Sequence, residues 1–431
     1  MMRRRTLLLF ALSLVGAGCA VATRDAIEAG ETLILAEGRI RGLTVDGRRS
    51  FIGIPYAAAP IEARRFRPPQ PVQPWPGTLD ASGSAVSCMG VRDEVGHAED
   101  CLRLDVFVPE VPSTLLPVRV MLDAGDEASS APAADDAVAI TVHYRVGALG
   151  FLAHSALTEE QGGSGNYGLM DQHAALHWVQ LNVRAFGGDP DRVTLVGRGA
   201  AAGDACLQLL ASDAEDLFQA VELENGTCGY HPLSELSAAH ARGVQLAAEL
   251  GCEVDGDAAA QLACLRAVPA DAFVDEAIEL PPASLATVDG VFLREDPRTA
   301  LAAGTFASVS MRVGWDEQQG ARFIHDDSFP TEDDYRAWLE RTFGTDHAGA
   351  IEAVYAIPED FPYRQIIPRS ALLGVFAGQI VTDAFYGCPG RQLAETVKQF
   401  TTVDCYTLAY ASGVPQQAAP NERCKLWDDL R

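Results

Sequence analysis

The segment DRVTLVGRGAAAGDA, residues 191–205, predicts a buried strand, a sharp turn and then a helix. Val193 and Val196 favour the strand, the glycines favour the turn, and the alanine run favours the helix. A strand–turn–helix of the pattern G-x-S-x-G carries a nucleophilic serine at the apex of its turn. Here the apex residue is Gly199, which has no side chain that could attack a carbonyl group.

Other segments predict the elements that would position such a turn. Residues 118–125 and 137–146 are rich in aliphatic and β-branched residues and predict two buried strands. Residues 171–186 carry apolar residues at helical spacing and predict a helix with one buried face. Strand-like and helix-like segments alternate along the chain, which indicates an α/β architecture.

The net charge of the chain argues against some classes of binding partner. The chain has 431 residues, 48% of them hydrophobic, and a net charge of −26. Such a surface repels nucleic acid and anionic lipid, so we expect neither as a partner. An unknown small molecule or protein is the expected partner, and no cofactor is expected.

Residues 1–22 predict export, and residues 23–431 are expected to form a single domain. Three arginines precede a short apolar stretch, which is typical of an export signal. The stretch GAGC resembles a bacterial lipobox that would place a lipid anchor on Cys19, whereas residues 20–22 offer an ordinary signal-peptidase site. The expected location is therefore the cell envelope as a lipoprotein, or secreted or periplasmic.

Ten cysteines in an exported chain indicate disulfides rather than metal ligands. Their spacing predicts three local pairs: Cys88 with Cys101, Cys206 with Cys228, and Cys252 with Cys264.

Several segments, in this order, resemble the type-B carboxylesterase family, which includes the cholinesterases. They are FIGIPYAAAP, RFRPPQPVQPW, EDCLRLDVFVP, VHYRVGALGFL, GNYGLMDQHAALHWVQLNVRAFGGDPDRVTLVG, ACLRAVP and CPGRQLA. The resemblance runs from about residue 37 to the C-terminus. It implies an α/β-hydrolase fold, with a mostly parallel central sheet flanked by helices, and a truncated C-terminal region.

The resemblance also implies a Ser–His–Glu triad and an oxyanion hole, together with catalytically inactive relatives that serve in adhesion or structure. At the implied positions this chain has other residues. Gly199 replaces the serine, and Gln319 in GWDEQQG replaces the acid, although a two-residue slip would bring Glu317 there. No histidine follows His347, so the segment that should carry the catalytic histidine is interpreted as deleted.

The oxyanion loop departs from the family as well. Its H-G-G-G pattern is replaced by Asp123, Ala124, Gly125 and Asp126. Carboxylates beside a developing oxyanion raise its energy. We expect Asp123, Asp126 and Arg198 to form an ion-pair cluster that fills the former active site and satisfies its buried charges. The alternative is a ligand pocket in which they recognise a charged group.

The resemblance further implies a disulfide between Cys388 and Cys424. Cys405 is then the odd thiol, and we expect it to be buried in its strand and inert.

Two function classes follow. The first is an exported, non-catalytic protein that binds a ligand or partner. The alternative is a carboxylic ester hydrolase with displaced catalytic residues, for which the candidates are Asp123, Asp126, Glu317 and His143.

One histidine pair has a spacing that suits a metal ion. His173 and His177 are four positions apart on the predicted helix. No third ligand is evident in the sequence, so ordinary packing and no metal site are expected.

Overall fold

The structure is a computed structural model. It describes residues 28–45, 48–90, 97–109, 114–124, 136–228, 233–253, 257–274, 286–324, 329–357, 368–408 and 420–429. The predicted export signal with Cys19, and Gly125 and Asp126 of the expected oxyanion loop, lie outside these residues.

The strands of the described residues are, in chain order, β1 (Glu28–Ile34), β2 (Arg39–Val45), β3 (Arg48–Pro55), β4 (Thr78–Asp80), β5 (Ser87–Cys88), β6 (His97–Ala98), β7 (Arg103–Val108), β8 (Leu116–Asp123), β9 (Val138–His143), β10 (Gly188–Arg198), β11 (Ala220–Glu224), β12 (Ser234–Glu235), β13 (Thr287–Val288), β14 (Ser310–Asp316) and β15 (Val403–Leu408).

The α-helices of the same residues are α1 (Gly147–Phe151), α2 (Ser155–Gln161), α3 (Tyr167–Asn182), α4 (Ala200–Gln208), α5 (Ala214–Leu217), α6 (Leu236–Glu249), α7 (Ala258–Ala267), α8 (Pro297–Ala303), α9 (Glu332–Phe343), α10 (Thr345–Val354), α11 (Arg369–Thr382), α12 (Cys388–Val397) and α13 (Pro420–Asp429). Short 3₁₀ segments include Val183–Phe186 and Gln319–Phe323, and a π-helical turn at Asp383–Gly387 joins α11 to α12.

A large sheet forms the centre of the protein. Its strands lie in the order β1-β2-β3-β7-β9-β8-β10-β11-β14-β15, with β4 paired to β2. The pairs from β1 to β9 are antiparallel, whereas every pair from β9 to β15 is parallel. Helices flank this sheet, so the predicted α/β fold with a mostly parallel central sheet is confirmed.

The strands and the helix predicted from the sequence are present, and burial of their apolar residues in the core stabilises them. All six residues of β9 are buried, as expected for a central strand covered on both faces. Helix α3 buries Leu169, Leu176 and Val179 at helical spacing. A smaller apolar cluster lies among helices α9 to α13 and includes Trp427.

One helical segment of the described chain, residues 369–397, is long and apolar enough to cross a membrane by length and composition alone. The protein buries 72% of its most apolar 18-residue window. That burial is what a core helix of a globular domain requires.

Four disulfides join Cys88 to Cys101, Cys206 to Cys228, Cys252 to Cys264 and Cys388 to Cys424, the pairs expected from the sequence. Cys405 is a free cysteine, but the expectation that it is buried is wrong, because it is exposed. The reason is that β15 lies at the end of the sheet, where its far side has no neighbouring strand among the described residues.

A buried ion pair ties helix α3 to the segment that follows β9. The Nε and Nη2 atoms of Arg145 donate to the two carboxylate oxygens of Asp171, each at 2.7 Å. Both side chains are at least 97% buried, since their exposed fractions are 3% and 0%. The Arg145 guanidinium also lies over the ring of Tyr167, 5.4 Å from its centroid. Removal of either charge would leave the other buried without compensation.

We therefore predict that Asp171→Asn lowers the free energy of unfolding by about 3–5 kcal/mol. The matched control is Glu352→Gln, which neutralises a carboxylate paired with Arg336 at the surface and is expected to cost less than about 1 kcal/mol. Urea unfolding followed by circular dichroism measures both values. Equal losses in the two variants would show that the buried pair has no special role.

Candidate functional site at the carboxyl edge of the sheet

The parallel strands bring a row of polar residues to one edge of the sheet. Strands β9, β8, β10, β11 and β14 are neighbours in that order. Their last residues are His143, Asp123, Arg198, Glu224 and Asp316. Ligands of parallel α/β sheets bind at the carboxyl ends of the strands. This carboxyl-edge row is therefore the candidate site.

The predicted strand–turn–helix lies in this row. Strand β10 ends at Arg198, Gly199 forms the turn with φ +56° and ψ −123°, and α4 begins at Ala200. The backbone N–H of Gly199 donates to the carbonyl of Glu224 at 2.9 Å. The turn is tightly packed: a Cβ atom on Gly226 would come within 2.4 Å of the Gly199 carbonyl oxygen. The turn is thus the sharp elbow that the sequence predicts, with glycine at its apex.

His143 lies at the end of β9 between two carboxylates. Its Nε2 is 3.1 Å from Oδ2 of Asp105, and its Nδ1 is 3.1 Å from Oδ2 of Asp123. The Nδ1 contact is an ion pair rather than a well-aligned hydrogen bond. The side chains are 4%, 5% and 9% exposed, respectively. This buried Asp–His–Asp cluster joins three neighbouring strands, β7, β9 and β8.

The cluster changes the charge state of the imidazole. Burial by itself lowers the pKa of His143, but the contacts with Asp105 and Asp123 outweigh burial and raise the pKa to about 9. The ring is therefore a cation at neutral pH. A protonated imidazole with a carboxylate at each nitrogen cannot accept a proton from a nucleophile.

The next members of the row are paired with each other. Nε of Arg198 donates to Oε2 of Glu224 at 3.0 Å, and these two residues are cross-strand partners in the sheet. Nδ2 of Asn225 donates to Oδ2 of Asp316 at 3.2 Å, and the Asp316 N–H donates back to Oδ1 of Asn225 at 2.8 Å. Neighbouring strands thus supply partners for each other's polar residues.

This pairing corrects one expectation. The predicted cluster of Asp123, Asp126 and Arg198 is wrong in its partners, because Asp123 pairs with His143 and Arg198 pairs with Glu224. Each side chain meets the residue at the end of an adjacent strand, which the strand order decides. Asp126 lies outside the described residues.

The residue at the implied acid position is buried but uncharged. Gln319 begins the 3₁₀ segment after β14 and is 4% exposed. Its Oε1 atom is buried and has no hydrogen-bond partner within the described ranges. Glu317 is half-buried, and its backbone N–H donates to the carbonyl of Leu408 at 3.1 Å.

A cavity of about 290 Å³ opens beside this region, between α8 and α12. Thr227 and Cys228, which follow β11, line one side, and Arg298, Leu301 and Gln392 line another. The cavity is large enough for a small organic ligand or for ordered water.

Two residues of importance were missed by sequence reasoning. Asp105 lies 38 positions before His143, and nothing in the spacing connects them. Asp213 contacts both His173 and His177. It is the third candidate metal ligand, which the sequence did not reveal. In both cases the contact joins separate elements, and no local pattern marks it.

Comparison with known proteins identifies a matching family and several similar proteins. Residues 30–425 match the family described as the carboxylesterase family. Fumonisin B1 esterase of Sphingopyxis macrogoltabida is 35% identical over 344 residues, which are 75% of this chain and 62% of that protein. Crystal protein of Dictyostelium discoideum is 28% identical over 388 residues, 83% of this chain and 67% of that protein. Human neuroligin-2 is 29% identical over 392 residues, 75% of this chain but 45% of that protein. The matches to the esterase and to neuroligin-2 thus span less than two thirds of those proteins.

The pKa of His143 makes stability depend on pH. The pKa is about 9 in the folded protein against 6.5 for an unperturbed histidine, so the protonated ring stabilises the fold fully below about pH 6.5. That contribution, about 3 kcal/mol, is lost as the pH rises through about 9. We predict that the difference in unfolding free energy between the wild type and His143→Gln shrinks by this amount between pH 6.5 and 9.5.

Urea unfolding at several pH values measures this difference, and NMR titration of the ring measures the pKa directly. His347→Gln is the control, because it removes an imidazole from helix α10, away from the carboxyl-edge row. A His143 titration midpoint near 6.5 would contradict the assignment of a protonated ring.

Proposed function

The chain belongs to the carboxylesterase family, and we propose that it is a member that does not hydrolyse esters and instead binds a small molecule or a protein partner. The observation that carries the proposal is Gly199 at the apex of the elbow, between β10 and α4. Acyl transfer by this family's chemistry needs a hydroxyl group at that apex. Glycine supplies none.

The conformation of the turn supports the same interpretation. A nucleophilic serine occupies this turn at the cost of backbone strain. Gly199 adopts φ +56° and ψ −123°, a region that glycine enters with little penalty. Glycine therefore keeps the conformation of the elbow without the backbone strain that a serine would bring. It also leaves the elbow without a nucleophilic group.

The remaining machinery is proposed to be lost as well. Gln319 is an amide and cannot stabilise an imidazolium as a carboxylate does, and the sequence has no histidine after His347. Asp123 replaces the first residue of the H-G-G-G loop that forms the oxyanion hole in this family, and its carboxylate pairs with His143. Removal of a catalytic triad costs about 10⁶-fold in kcat, and loss of one oxyanion-hole donor costs a further 10²–10³-fold or so.

The alternative, an ester hydrolase with displaced residues, has weaker support. His143 is 4% exposed and has a raised pKa of about 9, so it is a poor general base at neutral pH. Asp123 is engaged by that same ring. Glu317 is half-buried near the end of β15, and Asp126 lies outside the described residues.

The proposal includes export. Four disulfides are compatible with an extracellular or secreted protein. Attachment to a membrane through a lipid on Cys19 stays a prediction, as does a secreted or periplasmic location without it.

We predict that the purified protein gives no fluorophosphonate labelling above a heat-denatured control and no turnover of short-chain nitrophenyl esters. An active carboxylesterase serves as the positive control. Labelling of the native protein, located by mass spectrometry on another residue, would overturn the proposal in favour of displaced chemistry.

Two variants at one position refine the test. Gly199→Ser restores a hydroxyl group, whereas Gly199→Ala adds a side chain of similar size without one. Both should unfold about 1–3 kcal/mol more easily than the wild type, because a Cβ atom is strained at this φ and ψ. Neither should hydrolyse esters, and turnover by Gly199→Ser alone would show that a working base and oxyanion hole remain.

A further inference from the structure

We propose that His173, His177 and Asp213 form a binding site for a divalent transition-metal ion of the zinc class. The site lies on the outer face of α3, where the loop after α4 crosses it. It is separate from the carboxyl-edge row and independent of the proposed function.

The ligand atoms converge on a common point. Nε2 of His173 is 3.1 Å from Oδ1 of Asp213, and Nε2 of His177 is 3.0 Å from Oδ2 of the same carboxylate. All the candidate ligand atoms lie within 4.8 Å of one another. Zinc bonds of about 2.0–2.1 Å at tetrahedral angles separate neighbouring ligand atoms by about 3.3 Å. The observed separations therefore need only small side-chain rotations to admit the ion.

The two imidazoles reach this point because of helix geometry. His173 and His177 are one turn apart on α3, so both project from the same face. Their rings lie nearly perpendicular, with centroids 4.9 Å apart. The opposite face of α3 is buried in the core, which fixes the backbone that carries both ligands.

The surroundings of His173 suit a metal ligand. A zinc-bound histidine offers a neutral ring nitrogen to the ion, and the nitrogen that His173 turns toward Asp213 is its Nε2. Its Nδ1 atom is buried without a well-aligned hydrogen-bond partner, and so is Oε1 of Gln208. The two residues interact, so Oε1 of Gln208 is the acceptor available to an Nδ1–H group, which is the arrangement that commonly orients a zinc-bound histidine.

An ion can reach the site from solvent. His177 and Asp213 are 54% and 38% exposed. Asp213 also lines an open cavity of about 460 Å³ whose walls include Glu215, Asp216 and Glu295 against one arginine, Arg294. This negative surface attracts cations. Three protein ligands leave a fourth tetrahedral position for water or for a donor atom from a bound molecule.

Position in the fold separates this site from the elbow. Helix α4 begins next to Gly199 and has nine residues, so it spans about 13 Å. The elbow precedes its first residue and Asp213 follows its last. A metal ion here would not contact the residue that replaces the nucleophile.

The alternative is that Asp213 only pairs with the two histidines at the surface and that the three residues bind no metal ion. The test is isothermal titration of the EDTA-treated full chain with ZnCl₂ at pH 7.5. We expect one Zn²⁺ ion per chain and a rise in Tm on binding. We also expect Co²⁺ to give the visible absorption of a tetrahedral complex, and Mg²⁺ not to compete, because it prefers oxygen ligands.

Variants decide which residues hold the ion. His177→Ala and Asp213→Asn should each weaken Zn²⁺ binding by at least about tenfold, while His347→Ala, which removes a histidine elsewhere, should leave it unchanged. Circular dichroism confirms that each variant is folded, and the exposure of His177 makes its replacement tolerable. Absence of saturable binding by the wild type, or equal binding by wild type and both ligand variants, would overturn the proposal.

Discussion

Parallel pairing of the strands from β9 to β15 is the constraint on which the rest of the molecule depends. It brings the carboxyl ends of β9, β8, β10, β11 and β14 to one edge. It also requires that each chain reversal pass through a connection on a face of the sheet, which is why helices such as α3 and α4 lie where they do. This arrangement positions the elbow, the carboxyl-edge row and the histidine pair on α3.

The charges of the Asp–His–Asp cluster must be compensated, because all three side chains are withdrawn from water, whereas Arg198 is 48% exposed. The compensation is made between neighbours: His143 with Asp105 and Asp123, and Arg198 with Glu224. A catalytic histidine is also held by a hydrogen bond at one ring nitrogen, but its other nitrogen must face the nucleophile, whereas both nitrogens of His143 face carboxylates. Under the proposed function, the His143 ring is therefore a structural cation rather than a general base.

Helix α4 runs from the elbow toward the proposed metal site. Its first turn packs against the elbow, where a Cβ on Gly197 would come within 2.2 Å of the Ala201 carbonyl oxygen. Its last residue is Gln208, which donates to Gln172 and to the Leu169 carbonyl of α3. The elbow and helix α3, which carries the histidine pair, thus both contact α4.

Local sequence determined the elements and the elbow. The strand ending at Arg198, the glycine turn and the helix after it were predictable because backbone preference depends on neighbouring residues. The local disulfides were predictable from spacing, and the family resemblance supplied the sheet and the pairing of Cys388 with Cys424. The same local patterns identified His173 and His177 as a pair on one helical face.

Tertiary structure alone decided the partners. Asp105 reaches His143 across 38 positions, and Asp213 reaches the histidine pair from a separate loop. The exposure of Cys405 and the pairing of Arg198 with Glu224 went against expectation for the same reason. Which strand lies at the edge, and which side chain faces which across the sheet, follow from strand order. Strand order is set by the packing of the whole domain, which no single segment encodes.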